Sequence, residues 1–287
     1  MGRARGIRTR IVDEKVIEGL AEALEREGRA PGTVECYLRA ARAFSRWLGG
    51  RPVAEGSAAA WRDELLAGGY SPSSVNVMVA GVNRLLRAMG REGWRARALR
   101  VQRRPFRDAS RELTRGEYHR LLAAARARGR RRAALAMEAI CATGIRVGEL
   151  RFLTVEAARR GRAEVSLKGK VRTVLIPRRL ARKLLEFARS SGVKGGPVLR
   201  GRDGRPLSRK GVWAEMKAAA AAAGVAASKA FPHNLRHLFA RAFYASCRDV
   251  VRLADVLGHS SVETTRIYLA TTGAEQERTI DRLGLIE

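Results

Sequence analysis

The chain is 287 residues long and 46% hydrophobic, and it carries 57 Lys and Arg against 28 Asp and Glu, a net charge of +29. That length sets an expectation of one large or two modest domains, and that charge favours polyanionic partners, nucleic acid first. Three scattered cysteines (Cys36, Cys141, Cys247) argue against a disulfide framework or a CxxC zinc site, and a basic N-terminus without an apolar stretch argues against a secretory signal. The alanine run 218–223 is too short for a bilayer, so a cytoplasmic protein is expected. Only eight of the 57 basic residues are Lys, so a GC-rich genome can inflate the arginine count, but codon bias does not remove acids.

Residues 1–12 are basic and lack an apolar period. Over 13–28, Val16, Leu20 and Leu24 recur at helical spacing, and Gly28 stops the run. Thr33 is the expected cap of a second helix, with Val34, Tyr37, Leu38, Ala41, Phe44 and Leu48 repeating until Gly49. A third helix is expected from about Ser57 to Leu66. A fourth starts at Ser71-Pro72, with proline in the first turn and Val75, Val79, Val82, Leu85 and Leu86 facing inward. These four helices, with no strand pattern, describe a small helical domain over residues 1–100. Residues 91–112 crowd basic residues, with few acids, around a proline. Residues 101–112 read as a basic interdomain linker lying along phosphates, against the plainer reading of a solvated linker.

A second domain is expected over 113–287, opened by Thr114 as a helix cap. Helices at about 115–127 and 131–142 lead into Thr143-Gly144-Ile145-Arg146, where another helix starts. Glu149, one turn on, either holds the Arg146 guanidinium or makes a surface ion pair worth a few tenths of a kcal/mol. Residues 163–177 alternate around Lys168-Gly169-Lys170 and predict a β-hairpin. Helices follow at about 178–191, 209–224, 233–246, 248–257, 262–269 and 275–283, with a short strand at Val198-Leu199. The expected fold is mainly α with a small β component.

Side chains that can handle a phosphate concentrate near the C-terminus. His233 and Arg236 are i and i+3, so they share a helix face. Leu257-Gly258-His259 precedes Ser260, which with Glu263 reads as a capping box for a helix carrying Tyr268. Singly, each has an ordinary reading: a packed imidazole, or a half-buried tyrosine. Together, His-x-x-Arg, Leu-Gly-His and a Tyr nine residues after that His resemble the C-terminal signature of the tyrosine recombinases, the integrase and Xer-type family. Ala142-Thr-Gly-Ile-Arg146-Val-Gly-Glu149-Leu resembles that family's first arginine motif, and the resemblance covers most of the chain.

The resemblance implies a four-helix, SAM-like core-binding domain followed by a mixed α+β catalytic domain. It implies a site-specific DNA recombinase that cuts and rejoins DNA through a 3′-phosphotyrosyl intermediate. Such an enzyme serves DNA integration and excision or the resolution of chromosome and plasmid dimers. Metal and ATP are not required and no cofactor is implied. Arginines can replace a metal, because a guanidinium grips phosphate oxygens with a charged, bidentate fork. Arg146 and Arg236 take that role. Tyr268 is the nucleophile, His233 a general base or phosphate donor, and His259 a second donor to the transition state. Glu149 supports Arg146. The hairpin lysine that protonates the leaving oxygen aligns with Lys168, although the turn is one residue shorter than the family's Gly-Lys-Gly-x-Lys-x-Arg form, and Lys170 competes. The implied partners are double-stranded DNA with paired inverted sites and a homotetramer on two DNA sites, or assembly with a paralogous recombinase, without a membrane. The tail 274–287, with Ile280 and Leu283, docks on its own domain or on a neighbouring protomer. Two alternatives keep other classes open: a type IB topoisomerase, disfavoured by the small helical N-terminal domain, and a non-catalytic DNA-binding module, disfavoured by competent residues at all six catalytic positions.

Overall fold

The computed structural model describes residues 11–101, 109–167, 170–201, 203–259, 261–266, 268, 278 and 280–283. It divides into two compact units, Met1–Arg103 and Arg104–Glu287. The first unit contains α1 (Glu14–Arg26), α2 (Pro31–Leu48), α3 (Ser57–Ala67) and α4 (Pro72–Ala88). Asp13 caps α1 by accepting from the Val16 N–H at 2.9 Å, and Val16, Ile17, Leu20 and Leu24 fill its inner face. Thr33 is not the cap of α2; the helix starts two residues earlier, at Pro31. Proline has no N–H to lose in a first turn and its φ is already helical. Ser71 caps α4 as expected. On α4, a Cβ at Gly81 would lie 2.7 Å from the Ala40 Cβ, so glycine there lets α4 cross α2 closely.

The basic stretch after α4, expected to close the helical domain, is docked on that helix. Asn76 bonds the Leu99 carbonyl and N–H (2.9 and 2.7 Å), and Asn83 does the same for Ala96 (2.9 and 3.0 Å). Two amides thus hold residues 96–99 along α4 as a partner strand would. Residues 102–108 of the linker lie outside the described residues.

The second unit opens with α5 (Arg115–Ala127), whose Thr114 and Glu117 form a reciprocal capping box. α6 (Arg131–Thr143) is apolar on most of its circumference and runs through the core, which also takes Leu121, Ile145, Leu150, Leu184, Met216 and Leu235. A 3-10 helix over Val147–Phe152 replaces the helix expected near Arg146. A short α7 (Val155–Arg160), not anticipated from the sequence, follows with Thr154 as its cap. β1 (Arg162–Leu167) and β2 (Lys170–Leu175) pair antiparallel, Arg162 opposite Leu175 and Leu167 opposite Lys170. The turn residues Lys168 and Gly169 lie outside the described residues.

α8 (Arg178–Ser190), α9 (Arg209–Ala223), α10 (Pro232–Cys247), α11 (Val250–Leu257) and α12 (Val262–Arg266) complete the unit. The strand expected at Val198-Leu199 does not form; isolated bridges pair Thr154 with Pro197 and Arg200 with Pro206. α12 is shorter than expected, and Tyr268 sits in a turn after it, with its N–H on the Thr265 carbonyl at 3.0 Å. Ser260 and most of the tail lie outside the described residues, while the Ser261 hydroxyl accepts from the Glu263 N–H at 3.2 Å. Among the described residues the fold is mainly α with one two-stranded sheet. Among the described residues, no helix is long and apolar enough to cross a membrane.

Candidate active site

The C-terminal end of α11 organises the site. The last carbonyls of a helix have no partner within it and carry the negative end of its dipole, so they attract cations. Three consecutive carbonyls here each accept from a different arginine. Val256 accepts from Arg172 Nη1 at 2.9 Å, Leu257 from Arg236 Nη2 at 2.8 Å, and Gly258 from Arg146 Nη2 at 3.4 Å. Arg236 also donates to the carbonyl of Gly144, the residue that caps the C-terminus of α6. The three guanidiniums come from the turn after α6, from β2 and from α10.

Glu149 counters two of them. Its Oε1 pairs with Arg146 Nη1 at 3.0 Å, and its Oε2 accepts from the Arg146 backbone N–H at 2.9 Å and from Arg172 Nη2 at 2.6 Å. The side chain is 3% exposed, so it is not the surface ion pair that spacing alone allowed. Burial would raise its carboxyl, but the Arg146 N–H and the Arg172 charge hold it below the ordinary 4.5. Three arginines against one carboxylate leave a surplus of positive charge that suits a phosphodiester. The Arg146 side chain is 42% exposed and holds the longest of the three carbonyl contacts, which leaves it the most available to a ligand.

Tyr268 is 4% exposed, and its ring lies among three imidazoles, with centroids at 5.9 Å to His233, 4.4 Å to His237 and 5.7 Å to His259. Beneath it, Ala240, Leu253 and Leu257 supply an apolar floor.

His259 is held from both sides. Its Nε2 lies 2.9 Å from Arg236 Nη2 and its Nδ1 2.8 Å from Thr265 Oγ1. A guanidinium only donates, so Nε2 is the acceptor and the ring proton sits on Nδ1, facing Thr265. The neutral form is enforced: burial and the charges of Arg236, Arg146 and Arg172 push the imidazole down to about 4. His233, at the exposed rim, is lowered by desolvation and then by Arg236 and Arg146. Arg236 itself is pushed down to about 10, first by burial and then by Arg146.

The structure therefore brings Arg146, Glu149, His233, Arg236, His259 and Tyr268 together, while Lys168 lies outside the described residues. The sequence reading missed Arg172 and Thr265. Arg172 is the arginine of the hairpin's Lys-x-Arg run, and that run is the signal that could have found it. Nothing in the local sequence marks Thr265. Among the described residues no group of His, Cys, Asp or Glu is arranged to hold a metal ion.

A buried tyrosine, a pair of phosphate-competent arginines and a neutral imidazole on this fold fit a tyrosine recombinase, the class of enzyme that cleaves and rejoins DNA strands. The pattern of the phage integrase family matches residues 111–275, and the chain belongs to that family. It is 30% identical to the tyrosine recombinase XerA of Thermococcus kodakarensis, over 95% of this chain and 96% of the relative. It is 34% identical to the tyrosine recombinase XerD of Caulobacter vibrioides, over 75% of this chain and 76% of the relative. Its fold matches that of a lambda integrase tetramer bound to a Holliday junction, with a TM-score of 0.70 and 22% identity over 89% of this chain and 76% of that one.

Proposed function

We propose that the chain is a site-specific recombinase whose nucleophile is Tyr268. The observation that carries this is the burial of the Tyr268 ring against His233, His237 and His259 of its own chain. A phosphodiester entering the site meets Arg146 and Arg236 at its non-bridging oxygens. The phenolic oxygen attacks phosphorus, the 3′ side of the break stays bonded to Tyr268, and the 5′ oxygen leaves with a proton from Lys168. His233 accepts the phenol proton; its lowered basicity keeps it unprotonated near neutral pH. His259 becomes a donor to the phosphate when Arg236 Nη2 turns to the anion and the ring proton moves from Nδ1 to Nε2, the Thr265 hydroxyl then donating to Nδ1. The bond energy is kept in the phosphotyrosyl ester, so attack by a 5′ hydroxyl reseals the strand without ATP.

Tyr268 in its own chain's site supports cleavage in cis, each protomer cutting the strand that it holds. The relatives' names favour recombination over the topoisomerase alternative. The helical unit grips one side of a DNA duplex and the second unit carries the chemistry, with the linker along phosphates between them. Two duplexes with paired inverted sites, held by four copies or by copies of a paralogue, complete the reaction in the cytoplasm. The lambda integrase tetramer on a Holliday junction supports that assembly.

Covalent trapping tests the reading. On a nicked duplex carrying a site that the wild-type chain has selected from a random library, wild type should form a DNA adduct. Tyr268→Phe should bind the duplex with unchanged affinity and form none. An adduct that persists in the variant would reassign the nucleophile.

A further inference from the structure

Of the three arginines on the end of α11, Arg172 is the one with no place in the chemistry above. Its guanidinium spans Glu149 (2.6 Å) and the Val256 carbonyl (2.9 Å), partners 23 and 84 residues away in the chain. One side chain therefore joins β2 of the hairpin to the turn that carries Arg146 and to the turn that carries His259. The path is tailored. Gly258 adopts φ +65°, and a Cβ there would lie 2.1 Å from the Arg172 Cδ and 2.7 Å from its Nε. Any side chain at 258 displaces Arg172.

Stability alone does not account for this arginine. Its side chain is 14% exposed and its Nε–H is buried without an acceptor. It lies beside two other guanidiniums, and a buried ion pair replaced whole by apolar side chains is often no less stable, so the pair itself is weak evidence of a stabilising role. What an apolar residue could not do is hold Glu149 and the end of α11 at once.

We propose that Arg172 is a positioning residue of the phosphate site, fastening the hairpin to Arg146 through Glu149 and to the His259 turn through Val256, so that the leaving-group acid and the phosphate-binding groups keep one register. The inference rests on the recombinase reading above. The geometry assigns Gly258 a matching role, as the gap through which Arg172 reaches.

The test is single-turnover adduct formation at saturating protein on the nicked duplex, with the Kd for that duplex measured separately. Arg172→Met keeps the aliphatic stem and loses the fork. It should slow cleavage about 10²-fold, the scale of a small misplacement of reacting groups, with Kd within about twofold. Arg172→Lys keeps the charge but reaches one partner, and should recover about tenfold of that loss. Gly258→Ala leaves every charge in place and should slow cleavage as Arg172→Met does. The double variant should be no slower than the worse single, because both break one contact. Gly224→Ala, at φ +62° with nothing within 4 Å, carries the same backbone strain and should cleave normally. If Gly258→Ala does not fold, the Met and Lys variants at 172 decide. Rates within about twofold of wild type, losses that multiply in the double variant, or a Kd that weakens in step with the rate would each overturn the proposal. A wild-type chain that forms no adduct removes the recombinase reading and this inference together; a reactive wild type with an equally reactive Arg172→Met removes only the inference.

Discussion

In the first unit, Asn76 and Asn83 turn their amides onto the backbone of Leu99 and Ala96, above a core of apolar side chains from Leu20 to Leu86. In the second unit, arginines on helix-terminal carbonyls join distant segments, and one amide, that of Asn234 on the Arg111 carbonyl, does so as well. Among the described residues, the buried polar or charged side chains are Thr143, Glu149, Asn234, Arg236 and Thr265, and each lies within or beside a motif of the site. A neutral amide bonds one N–H and one C=O at little desolvation cost. A buried guanidinium must overcome several kcal/mol of desolvation. The second unit accepts that cost where the first does not, which marks its polar interior as built for an anion.

The contrast breaks most visibly at Arg236. Arg236→Met should slow adduct formation about 10³-fold or more, since both donors to the phosphate are lost. Its melting temperature should change little, because relief of burial and of repulsion from Arg146 offsets the lost hydrogen bonds. Wild-type cleavage by that variant would remove the distinction between the two kinds of clamp. Arg146→Lys should cost about 10²–10³ in rate, as a point charge replaces a fork. Single-turnover kinetics check both.

Asn83→Ala sharpens the other side. It strips partners from the Ala96 N–H and C=O, and should destabilise the first unit by about 1–3 kcal/mol in a denaturant titration. Cleavage at saturating protein should stay within about twofold of wild type, because no group of the site is touched.

The smallest effect is a pH dependence. His259 has a folded value of about 4 against an ordinary 6.5, so between those values the unfolded chain binds a proton that the folded chain refuses. Its contribution is present above about pH 6.5 and falls as the pH drops through that window. Glu149, lowered from 4.5, loses its own contribution only at lower pH. Thermal melts between about pH 7 and 5 should show a shallower decline for His259→Gln than for wild type. Equal slopes would mean that the arginines do not bear on that imidazole.

Much of this protein was legible along the chain, because helical period, caps and glycine stops are local. The bounds of α5, α6, α8 and α9 follow from such signals to within a residue, and the His-x-x-Arg and Leu-Gly-His spacings brought Arg236 and His259 to notice without any contact being known. Local signals fail where a competing local rule wins, as when Pro31 pre-empts Thr33, or where an element is as short as α7. Tertiary structure alone decided the roles of Arg172, Thr265 and Glu149. Arg172 meets Val256 across 84 residues and Arg146 meets Gly258 across 112, separations at which no periodicity survives. Glu149 is the same i,i+3 partner of Arg146 in either reading, but burial and a second guanidinium turned a weak surface pair into a buried hub. The residue types set what each side chain can donate, accept or attack; the packing of α6, α10, α11 and the hairpin set which of them face one phosphate.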